Sequence, residues 1–308
     1  MKRTCVVLLV ALLLASVGVY AADPLWNGRG RIVISSDGNA HDEDDWGASA
    51  LMLALLASQG MQEALPVYVY CDHIWEGRSD RKGYDGRTEM IESIEGGRDR
   101  FGFPDTEFIC AYDDPERAYE AVAREIDRSS RRNPLILIAA GPMQVLGEGI
   151  ARAKPSKRKY VTLITHGRWN NIHSAKDREK YNKSAHDGWS YEEIVETFAS
   201  EKGGGLNCIH IHDQNGRDRD ASGKRLFDGL NTNRDRFSWL RTSEARHLPV
   251  YKEGSWEWLY SRMEECSKNG GRDFDVSDAG MLVYVLTGSD HTSPEVVKDL
   301  MEHPKQND

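Results

Sequence analysis

The sequence predicts an α/β protein built on an open, mainly parallel sheet that is flanked by helices. Short apolar stretches of strand character alternate with segments of helical periodicity along most of the chain, which is typical of βαβ units. The stretches at 136–138 and 161–164 are apolar on both faces, as strands buried between two helical layers should be. No internal repeat or low-complexity linker divides the chain, so we expect a single domain over 22–303.

Six strands and five main helices follow from this alternation. We predict the strands at 31–36, 65–71, 107–111, 134–140, 160–165 and 207–212. We predict the helices at 46–58, 87–97, 115–129, 144–153 and 191–200, with a further apolar helical pattern at 277–288. The segment around 216–260 is polar and rich in Arg and Asp, and it indicates an irregular insertion or lid within the domain.

The first 21 residues have the pattern of a signal peptide. Lys2 and Arg3 precede an apolar run over 6–19, and Val19-Tyr20-Ala21 fits a small-residue cleavage rule. The run is short for a membrane span, so we predict an exported protein, periplasmic or extracellular, with no membrane as partner. Loss of the two basic residues takes the net charge from −9 to about −11, which argues against a nucleic acid polymer as partner.

The sequence is compatible with a homo-oligomer. Four cysteines remain after removal of the predicted signal peptide. Their wide spacing, without a CxxC pair, argues against a zinc or iron–sulfur cluster. We expect free thiols at these positions, and the compartment also permits a disulfide. The cysteines are Cys71, Cys110, Cys208 and Cys266.

A run of acids near the amino terminus predicts a cation site. Asp37 ends the first predicted strand, and four acids at 42–45 open the first helix, so five carboxylates fall within nine residues. Two carboxylates about 4 Å apart repel by roughly 4 kcal/mol at an effective dielectric constant near 20. The helix dipole stabilises acids in the first turn of a helix, which explains one or two of the acids at 42–45. It does not explain Asp37, which lies at the end of the strand.

Polar residues also follow the other predicted strands. The carboxyl ends of parallel strands share one edge of a sheet, where ligands bind, so these residues predict a common pocket. His210 and His212 alternate along the sixth strand, where a core or edge histidine is the commoner outcome. The candidate substrate-binding residues are Asp72, His73, His166, Trp169, Asn170, Asn171, Asp213 and Asn215.

Three motifs in order along the chain resemble those of the inosine–uridine nucleoside hydrolase superfamily. Asp37 followed by Asp44-Asp45 resembles its amino-terminal signature, in which an Asp ends the first strand and an Asp-Asp pair starts the first helix. The apolar strand that runs into 141–146 resembles its Gly-Pro turn, and 275–280 resembles its late metal-binding Asp before a helix. The long, Gly-containing spacing from Asp37 to Asp44 is most similar to the secreted cellulose-binding, nucleoside-hydrolase-like branch.

The resemblance implies a Ca²⁺ ion and a hydrolytic reaction. It assigns the ion to Asp37, Asp45, the backbone carbonyl of Gln144, and Asp278, and an all-oxygen set of this kind suits Ca²⁺. Asp37 and Asp44 are the implied catalytic residues. Asp37 would take a proton from the calcium-bound attacking water, and Asp44 would bind a sugar hydroxyl.

The predicted function is therefore that of a metal-dependent glycoside hydrolase, including one acting on N-glycosyl bonds. The expected ligand is a small glycoside, a nucleoside or a carbohydrate. The superfamily's Glu-Phe-Asn sugar clamp is replaced by 169–173 and 213–215, so a non-catalytic sugar-binding protein on the same fold is the alternative. A metal-dependent phosphatase is disfavoured because 37–45 contains no Lys or Arg to hold phosphate.

Overall fold

All six predicted strands form one parallel sheet. The computed structural model describes residues 23–38, 43–71, 86–172, 188–201, 204–267 and 273–305. The sheet order is β3-β2-β1-β4-β5-β6, and every neighbouring pair is parallel. The strands are β1 (Arg31–Ser36), β2 (Val67–Tyr70), β3 (Glu107–Cys110), β4 (Leu135–Ala140), β5 (Val161–His166) and β6 (Asn207–Ile211).

This strand order creates a switch point between β1 and β4. The chain runs outward from β1 through β2 to β3, and then returns to β4 and runs outward in the other direction. Loops that leave β1 and β4 therefore diverge, and in open parallel sheets the crevice at such a point is where ligands bind. The α/β fold class predicted from the sequence is confirmed.

Helices cover both faces of the sheet. The longer helices are α1 (Asp44–Ser58), α2 (Gly86–Phe101), α3 (Pro115–Asp127) and α4 (Gln144–Arg152). Shorter helices follow as α5 (Pro155–Arg158), α6 (Arg168–Ile172), α7 (Tyr191–Ile194) and α8 (Trp239–Thr242). The last three helices are α9 (Ser255–Glu265), α10 (Ala279–Thr287) and α11 (Pro294–Glu302).

Alternation along each strand sends side chains into two separate cores. Ile32 and Ile34 pack in the core that contains α1, α9 and α10, whereas Val33 packs in the core beneath α3 and α4. Helix α1 is buried from Asp45 to its last residue, because its sequence is apolar or small almost all round. Gly47 permits this burial, since a Cβ there would lie 2.6 Å from the Cys266 Sγ at the end of α9.

The segment around 216–260 differs from the expected insertion or lid. Its second half belongs to the main core, with Phe237, Trp239 and Trp256 buried in the same cluster as α1. It also supplies β7 (Asn231–Asn233), which pairs antiparallel with β8 (Asp273–Asp275). A few large aromatic side chains account for this burial. The many Arg and Asp residues between them make the segment as a whole look polar in the sequence.

Two expectations concern membranes and thiols. Within the described ranges, no helix is both long enough and apolar enough to cross a bilayer. The predicted signal peptide at 1–21 lies outside those ranges. The four cysteines within the described ranges are free thiols, as expected.

Candidate functional site

The candidate site begins at the carboxyl end of β1, at the switch point. Asp37 follows the strand directly, is buried, and donates its backbone N–H to the Ala140 carbonyl at 3.1 Å. The turn after β4 packs closely against it. A Cβ on Gly141, whose φ is +150°, would lie 2.9 Å from the Asp37 nitrogen and 3.0 Å from its Cγ. Glycine at this position leaves room for the Asp37 carboxylate.

Asp44 and Asp45 open helix α1 beside this carboxylate. The residue before the helix, Glu43, makes no side-chain capping bond. Asp45 is only 1% exposed, and its Oδ1 has no hydrogen-bond partner among the described residues. A buried carboxylate oxygen without a partner costs free energy. Helix capping therefore does not account for Asp45.

Asp278 reaches the same place from the other end of the chain. It precedes α10 but makes no capping bond to that helix. Its Oδ1 instead accepts hydrogen bonds from His166 Nε2 at 2.8 Å and Asn170 Nδ2 at 3.1 Å. One carboxylate oxygen from each of Asp44, Asp45 and Asp278 lies within 4.8 Å of the other two. Acids from the amino-terminal and carboxyl-terminal parts of the chain thus lie side by side.

The acids repel one another strongly in this buried setting. Burial raises the pKa of Asp45 well above its usual range, and the charge of Asp37 and a hydrogen bond with it raise the pKa further. Asp278 and Asp44 add to the effect. Burial and the neighbouring acids therefore both disfavour ionisation of the Asp45 carboxyl group.

His166 and Asn170 position the Asp278 carboxylate. Asn170 uses the same amide group to donate to the Ala139 carbonyl at 3.2 Å, which ties Asp278 to the end of β4. Burial alone lowers the pKa of His166, but its contacts with Asp213 and Asp278 outweigh burial and raise that pKa to about 9. The Gln214 backbone N–H lies 3.2 Å from Nδ1, and this bond requires a neutral ring. The hydrogen bond from Gln214 and the nearby carboxylates therefore favour opposite protonation states of the ring.

Asp213 and Asn215 form a second layer of polar contacts. Asp213 Oδ1 accepts from the backbone N–H and side-chain amide of Asn215, at 3.0 and 2.9 Å. It also lies 3.8 Å from His166 Nδ1. Burial alone raises the pKa of Asp213, but its contacts with His166 and Asn215 lower that pKa to about 2. Asp213 is therefore a stable carboxylate.

Sequence reasoning misses two members of this layer, Asn231 and Asp275. Asn231 Nδ2 donates to Asn215 Oδ1 at 2.9 Å and also to Asp275 Oδ2. Burial, opposed by hydrogen bonds from Ser277, raises the pKa of Asp275 to about 6. The position of Asp275 three residues before Asp278 is a local signal, whereas Asn231 on β7 has none.

A cavity of about 650 Å³ opens beside this layer, beyond the ends of β5 and β6. Asn171 and Asp213 line it, together with Gly167 and Arg168. The Asn171 Oδ1 accepts from the Thr165 hydroxyl at 3.0 Å, which holds this side chain against β5. Two of the predicted substrate residues therefore face space large enough for a small ligand.

The remaining predicted residues have separate outcomes. The Gln144 side chain bonds the Tyr119 hydroxyl at 3.2 Å and the Trp189 N–H at 3.0 Å, and the role of its backbone carbonyl stays a prediction. Asp72 and His73 lie outside the described residues. Trp169 belongs to α6, and its side chain is likewise outside the described part of the molecule.

The acids fit a hard divalent cation. The side-chain donors are carboxylate oxygens, which Ca²⁺ and Mg²⁺ prefer, and a 2+ charge would offset the repulsion that raises the Asp45 pKa. The unpartnered Oδ1 of Asp45 is the strongest sign of fit, since an ion would satisfy it. The structure brings Asp44, Asp45 and Asp278 together, whereas the full set of ligands and the ion itself stay predictions.

Comparisons with known proteins find a relative of uncharacterized function and assign no family. The chain is 28% identical over 267 residues to an uncharacterized protein, P22, of Formosa agariphila, with 85% of each chain covered. No protein-family model matches the sequence. No solved structure matches it either.

Proposed function

We propose that the protein is an exported, calcium-dependent hydrolase of glycosyl bonds. The observation that carries the proposal is the buried meeting of Asp45 with Asp44 and Asp278 beside Asp37, with an Asp45 oxygen that has no partner in the described structure. Such an arrangement is costly for stability alone. A site that binds a cation and uses it in a reaction explains the cost.

The acids divide into ion ligands and reactive groups. Asp37, Asp45 and Asp278 would hold the ion together with the Gln144 carbonyl. When bound, calcium would supply positive charge to activate water for attack and would bind neighbouring sugar hydroxyls. Asp37 would accept the proton of the attacking water, and Asp44 would bind a hydroxyl of the sugar.

The substrate would lie between the acids and the cavity at β5 and β6. His166 links the two places, because Nε2 contacts Asp278 while Nδ1 lies close to Asp213 on the cavity wall. The fixed positions of Asn170 and His166 would keep the Asp278 carboxylate aimed at the ion. Asn171 and Asp213 would then face the leaving group or a neighbouring sugar.

Replacing the base tests this proposal directly. We expect Asp37→Asn to lower turnover of the active substrate by about 10²–10⁴-fold, because a positioned general base contributes that much. The measurement is product release from a panel of nucleosides and glycosides in calcium buffer, followed by removal of calcium. Asp99→Asn is the matched control, since this surface acid pairs with Arg98. Equal turnover in Asp37→Asn and the wild type would refute the assignment.

The second candidate is a sugar-binding protein without turnover. It is favoured by the hydrogen bonds that the predicted substrate residues make with one another and with the chain, such as Asp213 with Asn215 and Asn171 with Thr165. Calorimetry on the same panel separates the two functions. Calcium-dependent binding of a sugar with no product in any condition would favour the binding protein.

Export is the remaining part of the proposal. The basic start, the apolar run and the Val19-Tyr20-Ala21 motif support cleavage after Ala21. Amino-terminal sequencing of the protein recovered outside the cytoplasm should then begin at Ala22. Recovery of the chain with Met1 intact in the cytoplasm would contradict it.

A further inference from the structure

A second group of possible metal ligands lies at the rim of the cavity. It is distinct from the four acids of the proposed calcium site, which are Asp37, Asp44, Asp45 and Asp278. His212 follows β6, and Asp290 and His291 lie in the loop between α10 and α11. One ligand atom from each of the three lies within 4.8 Å of the other two. We propose that His212, Asp290 and His291 form a second metal site, which binds a borderline transition cation of the Zn²⁺ type.

The donor chemistry separates this site from the calcium site. Two imidazole nitrogens and one carboxylate are the ligands that Zn²⁺ takes in sites with three protein ligands and an open position. Ca²⁺ and Mg²⁺ instead prefer sets made of oxygen alone. Asp290 Oδ2 already accepts hydrogen bonds from the His212 ring and from the His212 backbone N–H, so this carboxylate faces the imidazole.

Gln214 holds the two ligand-bearing segments together. Its side chain is fully buried, and its amide donates to the His212 carbonyl at 2.7 Å and to the Asp290 carbonyl at 2.8 Å. Its Oε1 accepts from the Thr292 hydroxyl at 2.7 Å, one residue beyond His291. The two amide contacts fix the backbone of both ligand-bearing segments, and the third holds the Thr292 side chain. Such a buried clamp preorganises ligands that come from distant parts of the chain.

An aromatic ring orients both imidazoles. Phe227 stacks on His291 with ring centroids 5.0 Å apart and planes 8° apart. It also meets the His212 ring edge-on at 6.1 Å, and the two imidazoles lie 5.3 Å apart. Phe227 therefore holds the two rings as neighbours and supplies an apolar wall to the site.

The spacing requires only a small adjustment for a cation. His212 Nδ1 lies 2.7 Å from Asp290 Oδ2, which is a hydrogen bond in the absence of an ion. Tetrahedral zinc places its ligand atoms about 3.3 Å apart, so an ion could replace the shared proton with side-chain movements on the order of 1 Å. His212 and Asp290 both line the cavity of about 650 Å³, which gives the ion a path from solvent and leaves one side open for water or a ligand.

A histidine–carboxylate pair elsewhere in the chain serves as a comparison, because it lacks a third ligand. His303 and Asp299 form such a pair at 3.1 Å on the surface of α11, with both side chains about three-quarters exposed. Neither residue belongs to a group of three metal-ligand candidates within the described chain. His303→Ala is therefore a control for zinc binding by an exposed pair. His210→Ala is a second control, because His210 lies on β6 and lines the same cavity.

The experiment measures Zn²⁺ binding to the untagged, EDTA-treated protein by calorimetry, with calcium present in excess to occupy the four acids. We expect one equivalent of zinc in the wild type, and at least about 100-fold weaker binding in His212→Ala and in His291→Ala, because each removes one of three ligands. His303→Ala, His210→Ala and Asp278→Asn should bind zinc as the wild type does. Circular dichroism and thermal melting verify that each variant is folded.

Cobalt absorption distinguishes metal coordination from a purely structural role of these histidines, because only coordination produces the absorption bands. Co²⁺ in place of zinc should produce visible absorption bands of four- or five-coordination in the wild type, and His212→Ala should lose them. Zinc binding that survives in both His212→Ala and His291→Ala would overturn the proposal. Zinc binding that disappears in Asp278→Asn but not in His212→Ala would also overturn it, since the ion would then sit among the four acids.

Discussion

The two ends of strand β1 both carry buried charge, but they treat it in opposite ways. At the amino end, Arg31 pairs with Glu125, and both side chains are buried. Arg31 also donates to the Glu125 carbonyl at 3.1 Å, and Arg128 supplies a second cation to Glu125 at 2.9 Å. At the carboxyl end, Asp45 is surrounded by the carboxylates of Asp37, Asp44 and Asp278.

The difference separates a charge cluster that the chain completes from one that we propose binds a cation. The amino-end cluster is neutralised by the chain itself, so it is complete as soon as the protein folds. The carboxyl-end acids leave a buried oxygen without a described partner, and we propose that a cation from solution balances their charge. One member of each cluster lies at an end of β1, with Arg31 at its first position and Asp37 directly after its last.

The largest expected effect breaks the amino-end pair. Arg31→Met leaves Glu125 buried with a weakened set of partners, so we expect the free energy of unfolding to fall by about 3–5 kcal/mol in urea titrations. Arg128→Ala is the matched control. Its side chain is 60% exposed, and we expect a loss below about 1 kcal/mol. Equal losses in the two variants would mean that burial does not govern this cluster.

The next largest expected effect is the increase in the free energy of unfolding when calcium binds at the carboxyl end of β1. Calcium at about 100 times its dissociation constant should raise the free energy of unfolding by about 2.7 kcal/mol, because the folded state alone binds it. Asp45→Asn should lose most of this increment and should be at least as stable as the wild type in EDTA. Glu125→Gln should keep the increment from a lower starting stability. An increment that vanishes in Glu125→Gln and persists in Asp45→Asn would reverse the roles of the two ends.

A smaller effect is expected from pH in the metal-free protein. The raised pKa of Asp45 means that the folded state keeps a proton that the unfolded state releases above about pH 4. The free energy of unfolding should therefore fall as pH rises through this window, by at most about 1.4 kcal/mol per pH unit for one proton. Urea titrations in EDTA between pH 4 and 8 should show a flatter profile for Asp45→Asn. Identical profiles for the two proteins would show that Asp45 does not titrate as the structure indicates.

Much of the fold could be predicted because buried parallel strands leave a direct pattern. The observed β1 has the predicted bounds, and β4 differs from its prediction by one residue. The pattern is weaker where buried aromatic residues stand at irregular spacing among polar ones. Residues 230–260 join the main core through side chains such as Phe237 and Trp256, and no periodicity marks that role. The predicted helix at 191–200 changes to a π-helical turn at Val195, which hydrophobic patterning does not encode.

The candidate site could be predicted only where its residues carry a local signal. Asp37 and Asp45 stand in a run of acids, and Asp278 precedes an apolar helix. Asn231, Asp290 and His291 have no such context, and their roles depend on contacts with residues more than ten positions away.

The sequence by itself determined the alternation of strands and helices and the gathering of acids after β1, because both depend on neighbours along the chain. Tertiary structure alone decided which distant groups share a site. The switch point between β1 and β4 brings Asp37 beside the Gly141 turn, and the packing of α10 brings Asp278 to Asp45. It also decided that Gln214 joins His212 to Asp290. These pairings depend on three-dimensional packing and on buried hydrogen bonds, and neither has a period that a one-dimensional pattern can display.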